Sequence, residues 1–154
     1  MVRVNIEPIG HVDGGRTDLT DDDWGSVEAT IVLDSSLLEP EATLCLDEFS
    51  HLEVVYLFHL VDDGDVTRGT RRPRGNPEWP EVGILAQRAK ARPNRIGVSR
   101  CELVDVDGFK LRVRGLDAVD GSPVLDIKPF MVEFAPRGPV YQPAWASDLM
   151  RHYW

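Results

Sequence analysis

Between residues 66 and 100 the chain holds nine Arg or Lys and only two acids, Glu78 and Glu81. Residues 1–65 hold sixteen acids and two bases, Arg3 and Arg16. A chain of formal net charge −9 therefore carries one concentrated cationic segment. Pro73, Gly75, Pro77, Pro80, Gly83, Pro93 and Gly97 constrain its backbone. Arginines held on such a backbone suit an anionic or electron-rich ligand, because the guanidinium is planar, always charged and fork-shaped. Arg68, Arg71, Arg72, Arg74, Arg88, Arg92 and Arg95 either bind phosphates or balance the acidic first half internally. Trp79 and Asn94 among them tilt the reading towards a ligand, since stacking beside arginine is how splayed bases are held.

The acids pose a second question. Asp117, Asp120 and Asp126 sit at strand–turn positions. Asp120-Gly121 reads first as a β-turn, with Pro123 opening the next strand. The functional reading is that one carboxylate accepts from a ligand amine or ribose. Asp21-Asp22-Asp23-Trp24 reads as a solvated loop, and the indole within it reads as a ligand lid or a dimer contact. His11, His51, His59 and His152 show no metal-ligand spacing. His51 and His59, eight apart, would share a face of one strand and read as hydrogen-bonded histidines in a barrel. No metal is expected. No nucleophile elbow, phosphate-binding loop, paired CxxC or GxGxxG is present, which removes the Rossmann dinucleotide reading.

Strands must position these groups. Val2, Val4 and Ile6 alternate with polar residues, as do Val27, Ala29, Ile31 and Leu33. Residues 53–61, apolar on both faces, read as a central strand. Residues 82–86 form a short apolar run. Residues 96–106 and 109–114 read as a hairpin about Asp107-Gly108. Residues 123–127 and 130–134 complete seven or eight strands. Residues 40–49 read as a short helix starting at Pro40, and 143–154 as a docked C-terminal helix with Trp145, Leu149 and Tyr153 on one face. The fold class is all-β: a closed or nearly closed barrel with a few short helices. Loops at 10–26, 62–81 and 135–143 exceed simple turns and are where binding chemistry belongs.

The 154 residues, 42% apolar and 28% charged, predict one globular domain over 1–154. No run approaches the roughly 18–20 apolar residues of a membrane span, and the first residues lack an apolar signal core. Cys45 and Cys101 sit in apolar segments and read as buried thiols in a reducing, cytoplasmic compartment.

Three ordered segments carry a family resemblance. They are FSHLEVVYLFHL at 49–60, GILAQRAKARPNRIGVS at 83–99 and VRGLDAVDGSPVLDIKPF at 113–130. Together they resemble the TsaA/TrmO-like family, whose pattern runs "FSH…FH", "ATRS..RPN.IG.S" and "LD..DGTP..DIKPY". The resemblance implies a β-barrel that binds S-adenosyl-L-methionine, a homodimer with the cofactor near the subunit interface, and methyl transfer to the exocyclic amine of threonylcarbamoyl-adenosine beside the tRNA anticodon. By position, it implies that Phe58 and His59 border the cofactor and that Arg88 contacts it. Arg92, Asn94, Ile96 and Gly97 would line the same pocket, while Leu116, Asp117 and Ala118 would hold the adenosine or amino-acid part. It assigns no catalytic residue. Four departures stand out: Gln87 and Ala89 replace the Thr and Ser of "ATRS", Arg95 replaces a proline, and Phe130 replaces a tyrosine. Larger members carry a further C-terminal domain not seen here. The alternatives are therefore methylation of a small-molecule acceptor, or a non-catalytic S-adenosyl-L-methionine-binding module.

Overall fold

A computed structural model describes all residues, 1–154. Eight strands form: β1 Gly10–Asp13, β2 Glu28–Leu33, β3 His51–Leu57, β4 Thr70–Arg71, β5 Val82–Gly83, β6 Ile96–Asp107, β7 Lys110–Arg114 and β8 Pro123–Pro129. Six of them close an antiparallel barrel in the order β1-β2-β7-β6-β3-β8. The remaining two, β4 and β5, pair as a separate ribbon. The barrel is thus six-stranded: β5 of the ribbon lies in the apolar run expected at 82–86, whereas β1 and β4 form in segments read from the sequence as loops.

Alternation builds the core. Ala29, Ile31 and Leu33 of β2 point inward, as do Leu52, Val54 and Tyr56 of β3 and Leu111 and Val113 of β7. Val12 and Val124 complete the fully buried layer. Closing the barrel leaves no unpaired edge in the main sheet. The β6–β7 hairpin turns through Gly108-Phe109, with Asp107 paired to Lys110 and Gly108 at φ +57°, which glycine adopts without steric cost.

Several expected elements differ. Residues 2–6 form no strand, and Val2, Val4 and Ile6 are exposed. The chain enters the sheet at Gly10 because its partner β2 ends at Leu33, leaving nothing upstream to pair with. Residues 130–134 likewise leave the sheet. β3 begins at His51, so the last bond is Phe130 N–H to the His51 carbonyl, and Val132–Phe134 coil into an exposed 3-10 turn. The strand expected over 53–61 ends at Leu57. The helix expected over 40–49 is two 3-10 turns, Pro40–Thr43 and Leu46–Glu48, separated by Cys45 at φ +63°. Cys45 is exposed and only Cys101 is buried, correcting the expectation of two buried thiols. The helix α1 is confined to Ala144–Leu149.

Antiparallel order sorts the connections by end. β1, β3 and β7 finish where β2, β6 and β8 begin. The long connections 14–27, 58–95 and 115–122 therefore gather at one end, here the upper end. The lower end carries 34–50 and the tight 108–109 turn. No helix is long and apolar enough to cross a membrane.

Candidate functional site at the upper barrel end

The upper end brings together the three sequence segments quoted above. Phe58 and His59 follow the end of β3. Arg92 and Asn94 precede β6, which opens with Ile96 and Gly97, and Leu116, Asp117 and Ala118 follow β7. Leu57 pairs with Ile96 and Tyr56 with Gly97, so the first two segments are hydrogen-bonded neighbours. Phe58 N–H donates to the Arg95 carbonyl at 2.8 Å. The ring of Tyr56 lies directly over Gly97: a Cβ there would meet Tyr56 Cζ at 2.5 Å. Only glycine permits that approach, and the ring is thereby aimed at the third segment.

Asp117 is the centre of the arrangement. The Tyr56 hydroxyl donates to its carbonyl oxygen at 2.9 Å and to Oδ1 at 3.2 Å. The Tyr153 hydroxyl donates to Oδ2. Burial, then the Asp117 charge, pushes both phenols above their ordinary range, while Arg88 offsets part of the shift. Both hydroxyls accordingly stay protonated and act as donors. Phe58 stacks edge-on against Tyr56 with centroids 5.2 Å apart. Leu116 and Ala118 are buried in the core around this point.

The loops are cross-braced. Asp120 Oδ1 accepts from Gly14 N–H at 2.8 Å, and Asp120 N–H donates to the Arg16 carbonyl. Asp120 is thus a turn brace, as its Asp-Gly pair predicts. Asp126 pairs with Lys128 at 2.7 Å on the barrel flank and takes no part in the site. Arg16 bonds the carbonyls of Thr20, Asp22 and Asp23 and stacks 4.1 Å over Trp24. Trp24 is only 5% exposed. It is a packed residue of the 14–27 connection, which corrects its reading as an exposed lid or dimer contact.

The basic segment is mostly satisfied internally. Arg74 pairs with Asp22 at 2.9 Å, and Arg72 donates to the Trp79 carbonyl at 2.6 Å. Arg88 donates to the Val98 carbonyl at 2.6 Å, and Arg92 to that of Gln87 at 2.7 Å. Arg95 bonds Asp63 at 3.1 Å and the Val61 carbonyl. The internal-balance reading thus accounts for most of these guanidinium groups. Exposed Arg88 still stands close enough to the Asp117 cluster for its charge to act on both phenols, while half-buried Arg92 is held to Gln87. Trp79 is fastened by Nε1 to Asp148 Oδ2 at 2.9 Å.

Asn94 and Arg95 are consecutive left-handed residues, at φ +63° and +51°. A proline, fixed near φ −65°, cannot adopt the Arg95 conformation. The Arg95-for-proline departure therefore changes the backbone of the turn as well as its charge.

Three buried polar atoms lack a partner: His59 Nδ1, Gln87 Oε1 and Ser99 Oγ. Gln87 is held by its amide nitrogen, which donates to the Arg71 and Val82 carbonyls at 2.9 and 3.1 Å. Buried orphans of this kind are rare and mark places where a further donor or acceptor belongs. His59 lies past the end of β3, so it and His51 do not share a strand face. His51 is exposed beside Ser50 Oγ at 2.8 Å. A surface hollow of about 400 Å³ lies elsewhere, near Pro8, His11 and Asp34. It is open and contains none of the motif residues, so the converging chemistry, not the hollow, locates the site.

Sequence reasoning placed Tyr153 on the packed face of a helix and missed its hydroxyl contact. Only tertiary closure brings 153 to 117, and no local spacing signals it.

Comparison with known proteins bears on the family and the fold. A 47% identical stretch of 88 residues, 55% of this chain and 58% of the other, aligns with a "Probable S-adenosyl-L-methionine-binding protein" of Methanothermobacter thermautotrophicus. The "tRNA (adenine(37)-N6)-methyltransferase" of Escherichia coli is 39% identical over 99 residues, 60% of this chain and 41% of that protein. The chain spans about half the length of these relatives. A crystal structure of TrmO from Pseudomonas aeruginosa superposes with a TM-score of 0.73 at 26% identity, covering 91% of this chain and 61% of that one. Residues 22–135 match the tRNA-methyltransferase O N-terminal domain. That match takes in all three motif segments and the barrel from β2 to β8, so the chain belongs to the TrmO N-terminal domain family.

Proposed function

We propose that the upper barrel end binds S-adenosyl-L-methionine and that the chain transfers its methyl group to the exocyclic amine of an adenosine in tRNA, threonylcarbamoyl-adenosine beside the anticodon. The observation that carries the reading is that the segments holding Phe58, His59, Arg92, Asn94, Ile96, Gly97, Leu116, Asp117 and Ala118 meet at one end of the barrel, where Tyr56 and Tyr153 hold the Asp117 carboxylate. The names of the relatives, S-adenosyl-L-methionine-binding in one and adenine-N6 methyltransferase in another, support it. The residues fit such a ligand. Asp117 supplies an acceptor for hydroxyls or amines, Arg88 and Arg92 supply cations for a carboxylate, and the unpartnered His59 Nδ1 and Gln87 Oε1 supply further polar contacts.

When bound, the sulfonium supplies an activated methyl group: the acceptor nitrogen forms the new C–N bond, the C–S bond breaks with its electron pair passing to sulfur, and nitrogen loses a proton. This chain's residues hold the partners in line. Alignment of this kind is worth up to about 7–11 kcal/mol in favourable cases. Half-buried Phe58, packed edge-on against Tyr56, offers an aromatic ring near the site, which suits a cationic sulfur. An alkylated exocyclic amine sheds its proton readily, so a strong base is dispensable.

A second reading rests on one observation. The arginines of 66–100 are largely engaged by the chain's own carbonyls and carboxylates, which favours a small-molecule acceptor over a polyanion. We infer a homodimer as well, supported by the apolar side chains of Val132, Phe134, Val140 and Tyr141 left exposed after β8. Incubation with methyl-labelled cofactor and tRNA lacking the modification tests the tRNA reading. Label in tRNA is expected, with affinity falling steeply as salt rises. Label in a metabolite fraction instead selects the small acceptor, and binding without transfer selects the non-catalytic module.

A further inference from the structure

The segment 144–154 lies outside the matched region 22–135, yet it reaches the centre of the upper end. Four contacts fasten it there. Trp79 Nε1 donates to Asp148 at 2.9 Å. Asp23 N–H donates to the His152 carbonyl and Trp24 N–H to the Tyr153 carbonyl, both at 2.8 Å. Gly25 passes so close that a Cβ there would lie 2.8 Å from the Trp154 carbonyl carbon. The Tyr153 ring is also braced edge-on by Trp154 at 4.9 Å. Backbone bonds to His152 and Tyr153 fix the segment on the 14–27 connection, and the phenol is left facing Asp117.

A carboxylate offers about four lone-pair positions. Tyr56, its single proton shared with the Asp117 backbone carbonyl, reaches one on Oδ1, and Tyr153 takes one on Oδ2. One position on each oxygen stays free, and the group cannot rotate without breaking a bond on both sides. Tyr153 is therefore more than packing: it sets the plane in which Asp117 presents its remaining lone pairs. Two fixed donors on one acceptor are the support a binding carboxylate needs to be held in a single geometry.

Resting on the reading of the upper end as the cofactor site, we propose that Tyr153 is a positioning residue for that site, orienting Asp117 to accept from the hydroxyl or amine hydrogens of an adenosyl ligand. The side chain comes from a segment beyond the family-matched residues 22–135, so the site draws one of its contacts from outside that match.

Calorimetric titration of the full chain with S-adenosyl-L-homocysteine tests this, using wild type, Y153F, D117A and the double variant. Y153F keeps the ring and removes the hydroxyl. It is expected to weaken binding about tenfold while the thermal midpoint stays close to that of wild type. In the D117A background the same change is expected to add less than about twofold, because the group it orients is gone. A readout without ligand accompanies these: the carboxyl ¹³C resonance of Asp117 moves in Y153F. Wild-type affinity in Y153F, or losses that add fully in the double variant, overturns the proposal while leaving the cofactor site standing. Absence of any uptake by wild type removes the cofactor reading and the proposal together.

Discussion

The two ends of this barrel are built to different standards. At the lower end, backbone groups find backbone partners: Leu33 N–H bonds Phe109, Asp34 bonds Ile9, Leu103 bonds Ser50 and Phe130 bonds His51. At the upper end, Asp23, Arg74, Asn94 and Arg95 hold left-handed conformations, and His59 and Gln87 leave buried polar atoms without partners. Cys45 is the lower end's one comparable departure. Strain and unsatisfied groups lower stability, so they persist where something other than stability selects them. The same six strands thus support a closed floor and a rim that carries the strained and unpartnered groups.

Substitutions can break that contrast. Leu111 is fully buried in the shared core, and Leu111→Ala is expected to cost about 2–5 kcal/mol in urea unfolding. Its ligand affinity, measured on folded protein, should stay within about twofold of wild type. A loss of affinity to match the loss of stability would show that core and rim are not separable. Gly97→Val drives a side chain into the Tyr56 ring and is expected to cost about 1–3 kcal/mol. Unlike Leu111→Ala, it should also weaken ligand binding by displacing Tyr56 from Asp117. Intact binding in that variant would detach the Tyr56–Asp117 contact from the site.

Alkaline pH sharpens the same comparison. Burial, then the Asp117 charge, pushes the Cys101 thiol up to about 12 from an ordinary value near 9. The folded state keeps the proton that the unfolded chain sheds. Stability is therefore fully present below about pH 9 and falls as pH rises towards 12, by up to about 1.4 kcal/mol per pH unit. Cys101→Ala should flatten that slope in denaturation curves between pH 9 and 10. An unchanged slope would place the alkaline loss elsewhere.

Arg88→Ala comes next. Its guanidinium is exposed and bonds one carbonyl, so the thermal midpoint should hardly move while cofactor affinity drops about tenfold. Unchanged affinity would return Arg88 to the internally balanced arginines. The smallest effect is chemical. An aromatic disulfide reagent at pH 8 should label one thiol per native chain, Cys45, and two after denaturation. Rapid labelling of both in the native state would mean that the core around Cys101 opens.

Much of this fold is legible in the residues. Strict alternation over Val27–Leu33 and Leu111–Val113 marks β2 and β7, and Asp107-Gly108 marks the hairpin between β6 and β7. Alternation over Val2–Ile6 misleads because a strand needs a neighbour, and β2 stops before one is available. Residues 130–134 mislead for the same reason at the start of β3. The candidate site is legible where it lies in contiguous motifs, as at Arg92–Gly97 and Leu116–Ala118. Its tyrosine pair is not. Tyr56 and Tyr153 meet Asp117 across sequence separations of 61 and 36 residues; the first encounter follows from barrel closure and the second from docking of the C-terminal segment on the 14–27 connection. Charge misleads too: seven arginines in one stretch suggest a polyanion site, while the fold turns most of them onto its own carbonyls.

The most direct test of the central claim is an amide nitrogen–proton NMR titration of the full chain with S-adenosyl-L-homocysteine. The account predicts saturable shifts confined to the upper end, at Phe58, His59, Arg92–Gly97 and Leu116–Ala118, with residues 34–50 and Gly108-Phe109 unmoved. Shifts centred on the lower end, or none at millimolar ligand, would contradict it.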